Sequence, residues 1–285
     1  SGTMRSALLL LFLGLLLVDA QRQARWWMNV GQLDENLVFI NAKRDSITGV
    51  YLYFFGIDAE GNFSPHHSGA NATELIKPYL DLGLTVHIAG SVDRNALVNK
   101  TAAKAIDPAV AFAAAQSVTG IMLDYEPDLS DKADAELYAD FLGALGTASH
   151  PQKVQTAMCV SDWGILDYYD LYAKQPLDTM MSMAGTYFGT NITKNQHNLQ
   201  LEHQGGASPS QIAVGVGSMM TDACASRAKW QYNWTMTGLT SFVQWIEAEG
   251  LAEAIDVWRS DIDNQGPWNC TEPYYFDLLA AWLKQ

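Results

Sequence analysis

The chain has 285 residues, 48% of them apolar, with a formal net charge of −14 and a sequence pI near 4.6. That length is long for one open-sheet domain and supplies a large core. The acidity excludes a phosphate-backbone binder and fits poorly with an anionic membrane surface.

Taken in order, Met4-Arg5 precedes the run 7-ALLLLFLGLLLV-18 and then Asp19-Ala20. A basic start, a short leucine-rich stretch and a small residue at its end read as a secretory signal peptide. Residues 1–20, with the short remnant Ser1-Gly2-Thr3 in front, are therefore set apart from a mature part at 21–285. The apolar run is too short for a comfortable transmembrane helix, so no membrane association is expected after cleavage.

Eight short apolar runs follow: 26-WWMNV-30, 49-GVYLYFFGI-57, 84-LTVHIAG-90, 119-TGIMLD-124, 154-VQTAMCV-160, 178-DTMMSMAG-185, 211-QIAVGVG-217 and 254-AIDVWR-259. Near-continuous apolar runs are what strands covered on both faces show. Between them lie amphipathic segments such as 72-ATELIKPYLDLG-83, 107-DPAVAFAAAQ-116 and 132-KADAELYADFLGALG-146, and the chain closes with 273-PYYFDLLAAWLKQ-285. Gly83 and Gly146 stand where helix ends favour glycine. Strands alternating with helices imply a parallel sheet, and eight repeats predict a single-domain α/β fold, a (β/α)8 TIM barrel over 21–285.

Six N-x-[ST] sequons occur, at Asn62, Asn71, Asn99, Asn191, Asn233 and Asn269. With a signal peptide they predict a glycosylated protein, secreted or lysosomal, modified at all but Asn62, whose sequon runs into Pro65. Of the three cysteines, Cys159 lies in a strand-like run as a buried thiol, and Cys224 and Cys270 lie in loop-like segments and are paired as one disulfide. The six His are scattered, and His66-His67 reads as a surface pair. No spacing has a zinc pattern, and neither a phosphate loop nor a nucleophile elbow is present. No cofactor and no metal are expected.

The run 117-SVTGIMLDYEPD-128 places two carboxylates two residues apart at the end of the fourth strand. Alternate side chains of a strand share a face, so Asp124 and Glu126 repel when both are ionised. In a barrel, catalytic groups stand at the C-terminal ends of strands, which is where this pair falls.

The run 120-GIMLDYEP-127 resembles the strand-four signature of family 18 glycoside hydrolases, the chitinase-like barrels, roughly D-G-x-D-x-D-x-E-x-P. Glu126 falls on the proton-donor Glu and Asp124 on the Asp before it, while Met122 and Thr119 stand where the outer two aspartates would be. The last strand, 255-IDVWRSDID-263, is similar to that family's final strand, whose Trp floors the cleavage subsite, a role that passes to Trp258. Strand six departs from the family: 180-MMSMAGTYFG-189 has no Tyr-Asp pair to hold an N-acetyl group, and Tyr187 would supply the hydroxyl from further along. Tyr53 and Trp163 are further cleft candidates, whereas Asp93 and Asp261 read as solvated loop residues.

The resemblance implies an O-glycosyl hydrolase for β-linked N-acetylglucosaminides, either chitin oligosaccharides or a chitobiose core. The mechanism implied is retaining and substrate-assisted, with Glu126 as acid/base and Asp124 steadying the acetamido group. A neighbouring carboxylate and an apolar barrel mouth would keep Glu126 protonated. Two other readings stand beside it. One is a non-catalytic chitinase-like lectin; the other is a lysozyme-type muramidase of family 25, whose Asp-containing first strand 25-RWWMNV-30 does not show.

Overall fold

The computed structural model of the chain describes residues 22–28, 30–65, 71–127, 130–187, 189, 191–217, 234–258 and 273–285. Among these residues nine strands form one sheet: β1 (Gln23–Met28), β2 (Gly49–Ile57), β3 (Phe63–Pro65), β4 (Thr85–Val92), β5 (Gly120–Leu123), β6 (Gln155–Val160), β7 (Thr179–Ser182), β8 (Ile212–Gly217) and β9 (Ala254–Trp258). Their order is β1-β9-β8-β7-β6-β5-β4-β2-β3, and β1 also pairs with β2. That extra pairing closes eight parallel strands into the expected (β/α)8 barrel. Strand β3 lies outside the ring, antiparallel to the end of β2.

The helices are α1 (Leu33–Ala42), α2 (Ala72–Asp81), α3 (Arg94–Val98), α4 (Ile106–Ala115), α5 (Lys132–Ser149), α6 (Tyr169–Tyr172), α7 (Ala184–Tyr187), α8 (Ile192–Gln204), α9 (Met236–Glu249) and α10 (Pro273–Trp282). Asn71, Asp93, Asp131, Asn191 and Thr235 cap α2, α3, α5, α8 and α9 by accepting from backbone N–H groups one or two positions inside the helix. Among the described residues no helix is long and apolar enough to cross a membrane.

Two packed layers hold the barrel. Outside, Trp26 of β1 stacks on Phe276 of α10 at 5.4 Å and meets Phe39 of α1 edge-on at 5.3 Å. Inside, Arg25 and Trp27 of the same strand point the other way. Strand β1 starts at Gln23 rather than at Trp26 and ends at Met28. An apolar-run reading stops at a charge, but this Arg25 is 2% exposed and paired in the barrel with Asp256.

The two glycines expected at helix ends part company. Gly83 has φ +71°, the left-handed conformation that follows α2. Gly146 lies inside α5, which runs on to Ser149, and a Cβ there would overlap the Pro176 carbonyl oxygen. Close approach, not a cap, selects this glycine. Gly146→Ala should therefore lower the melting temperature, although helix propensity alone predicts a gain of about 1 kcal/mol. A raised melting temperature would show that the 176 turn gives way.

Candidate active site

Strand β5 carries the two carboxylates just past its last residue. The Asp124 N–H donates to the Gly90 carbonyl at 2.8 Å, extending the ladder with β4 by one step. Tyr125 faces outward, its ring edge-on to Tyr138 of α5 at 5.0 Å. That contact fixes the alternation: Gly120, Met122 and Asp124 face the barrel interior, and Glu126 follows at the mouth. Asp124 is half-buried and Glu126 is exposed.

Both carboxylates lie close to Cys159 of β6, a free thiol that is 1% exposed. Burial first, then the charges of Asp124 and Glu126, push its proton affinity well above the ordinary thiol value, and the nearness of the Asp124 carboxylate adds to the shift. This neighbour was not identified as part of a site from the sequence, where Cys159 reads only as a buried thiol.

Across the barrel, four strands away either way round the ring, Trp258 ends β9. It is half-buried and its ring lies 5.1 Å from Trp27, which in turn stacks on Tyr51 at 4.9 Å. The Tyr51 hydroxyl donates to Asp256 Oδ2 at 2.8 Å. Arg25 donates to both Asp256 oxygens, from Nε at 2.7 Å and from Nη2 at 2.9 Å, and its Nη1 reaches Thr179 Oγ1 at 3.4 Å. A column of aromatic rings therefore connects the mouth to a buried ionic network. Burial works against the Arg25 charge, and Asp256 and Tyr51 more than offset it. Neither Arg25 nor Asp256 stands out in the sequence, because they are 231 residues apart.

Beside this network His87 of β4 lies inside the barrel, its ring 5.2 Å from Tyr51 and its Nε2 3.1 Å from Gln155 Oε1. Burial, helped by the Arg25 charge, lowers its pKa to about 3, so it is neutral across the working range.

The remaining candidates are more dispersed. Tyr53 of β2 is 40% exposed, and its hydroxyl reaches Ser91 Oγ at 3.4 Å. Trp163 follows β6, half-buried against the core. Tyr187 ends α7, after β7; its side chain lies outside the described residues. Met183 and Ala184, where the missing Tyr-Asp pair would stand, are both buried. Asp93 is exposed and caps α3. Thr119 accepts from the Val86 N–H at 3.0 Å below the start of β5, well away from the mouth. Asn71, Asn99 and Asn191 are exposed at helix ends. Cys224, Cys270, Asn233, Asn269, Asp261, His66, His67 and residues 1–20, where a signal peptide is expected, lie outside the described residues. Among the described residues no group of three or more His, Cys, Asp or Glu converges to hold a metal.

Known structures share this barrel. A chitinase from Chromobacterium violaceum ATCC 12472 superposes with TM-score 0.72 at 13% identity, covering 93% of this chain and 99% of that one. This chain shares the fold of that chitinase. Catalytic domain 2 of the Ostrinia furnacalis Group II chitinase gives TM-score 0.68 at 12% identity, covering 93% and 97%. The Bacillus megaterium QM B1551 spore cortex-lytic enzyme SleL gives 0.67 at 13%, covering 90% of this chain and 73% of that one. No family model and no curated protein matches the sequence. At such low identity the likeness is one of fold, and the chemistry rests on the residues themselves.

Proposed function

We propose that this chain is a retaining glycosidase for β-linked N-acetylglucosaminides, such as chitin oligosaccharides or the chitobiose core of N-glycans. The observation that carries the reading is the placement of Asp124 and Glu126 together at the C-terminal end of β5, facing Trp258 across the mouth. Similarity in fold to chitinases supports the substrate class, and similarity to a spore cortex-lytic enzyme admits other glycans.

The steps follow from the groups present. A sugar in the subsite before the scissile bond lies on Trp258, its apolar face against the indole. The Glu126 carboxyl donates its proton to the glycosidic oxygen as the C1–O bond breaks. The substrate's own acetamido carbonyl oxygen attacks C1 from the opposite face, giving an oxazolinium ion, so no enzyme nucleophile is required. Asp124 accepts a hydrogen bond from the acetamido N–H and balances the developing positive charge. Water then adds to C1, giving its proton to Glu126, and the anomeric configuration is retained. A bound sugar removes water from around Glu126 and so favours its protonated form.

The setting we assign is secreted or lysosomal, after removal of residues 1–20, with N-glycans at Asn71, Asn99, Asn191, Asn233 and Asn269 and a Cys224–Cys270 disulfide. The net charge of −14 argues against a nucleic-acid partner. The test is release of fluorophore from a fluorogenic chitobioside by the purified protein. Glu126→Gln is expected to lower kcat at least about a hundredfold; equal turnover by both proteins would sink the assignment. One observation favours a second reading, the chitinase-like lectin: buried Met183 and Ala184 supply no polar side chain for an acetamide. Binding of chitotriose without any turnover would favour it.

A further inference from the structure

We propose that Cys159 is a positioning residue for Asp124, a thiol that ties the inner side of that carboxylate. The proposal rests on the glycosidase reading above for its kinetic consequence, but its structural basis is independent. In the β5–β6 ladder Leu123 pairs with Met158, so the next step sets Asp124 opposite Cys159. The thiol faces inward. Ala157, two residues earlier, pairs with Thr179, whose hydroxyl meets Arg25 inside the barrel. Cys159 itself pairs with Met181 on its other side.

The chemistry around Asp124 leaves this thiol a distinct task. Below it on its own strand is Met122, and one strand beyond Cys159 is Met181, both buried thioethers with no proton to give. Cys159 has one. The charged and titratable groups facing it are Asp124 and Glu126 at the mouth and Asp256 of β9 in the interior. Tyr51 of β2 and Tyr138 of α5 lie within its electrostatic reach. Three carboxyl groups around a buried sulfur disfavour the thiolate, so the S–H stays a donor throughout the working range. A neutral donor beneath Asp124 stabilises its charged form and orients it without adding a second buried charge.

Three measurements test this. Cys159→Ala should lower kcat on the fluorogenic chitobioside about tenfold, with KM within about twofold. Cys159→Ser, which keeps a donor, should recover most of that loss. In an Asp124→Asn background, Cys159→Ala should have no further effect on kcat, because the pair acts as a unit. Wild-type kcat in Cys159→Ala, equal losses in Ala and Ser, or additivity with Asp124→Asn would each overturn the proposal. Independently of turnover, the infrared S–H band that disappears in Cys159→Ser should shift in Asp124→Asn. An unmoved band overturns the proposal even if the enzyme is active. An inactive wild type with a shifted band strikes the glycosidase reading and keeps the contact.

Discussion

Asp256→Ala is expected to cost about 3–5 kcal/mol of unfolding free energy, the largest loss from any single substitution considered for this barrel. The carboxylate is fully buried and accepts three hydrogen bonds, two from Arg25 and one from Tyr51. Removing it strands a guanidinium that is 2% exposed, with Thr179 Oγ1 at 3.4 Å as its remaining side-chain hydrogen-bond partner. An unpaired buried charge costs far more than the pair contributes, so the double variant Arg25→Met/Asp256→Leu should recover much of the loss. Urea unfolding at constant m-value reads both. A change below about 1 kcal/mol in Asp256→Ala would mean that the interior is wetter than its burial indicates. Because Trp258 is the neighbour that follows Val257 on the same strand, and leans on Trp27 above this network, a milder variant such as Tyr51→Phe should also loosen the Trp258 ring.

This network marks the boundary of what the sequence makes legible. The strands announce themselves because a doubly covered parallel strand is apolar almost throughout, and the carboxylate pair is visible because its two members are two residues apart. Arg25 is the counterexample: a charge at the edge of an apolar run signals a strand end, yet here it points into the barrel and finds its partner 231 residues later. The Cys159–Asp124 contact is hidden for the same reason, since ladder register is needed to see it. Helix α8 is hidden differently. Three of its four fully buried residues, Asn195, Asn198 and Glu202, are polar, so the segment lacks the apolar stripe by which α2, α4 and α5 are recognised.

That polar face sets the pH dependence of stability. Glu202 is wholly buried against Ser182 of β7, and its oxygens form no well-placed hydrogen bond. Burial raises its pKa from 4.5 to about 8, with Ser182 opposing. Between those values the folded state holds a proton that the unfolded chain has lost, so stability falls as pH rises, on the order of 5 kcal/mol in all. His87 acts in the opposite sense. Its pKa drops from 6.5 to about 3, so between those values the unfolded chain holds the extra proton and stability rises with pH. From about pH 4.5 to 6.5 the two slopes cancel and these groups leave stability flat. From 6.5 to 8 Glu202 acts alone and removes about 2 kcal/mol; from 4.5 down to 3 His87 removes a similar amount. The expected profile is therefore a plateau in mildly acid solution with losses on both sides. Urea midpoints measured from pH 3 to 9 read it directly. Glu202→Gln removes the ionisation and should flatten the fall between pH 6.5 and 8 while leaving the acid side unchanged. A wild-type profile already flat from 6.5 to 8, or a Glu202→Gln profile that still falls there, would show that the carboxyl finds water or a partner when it ionises.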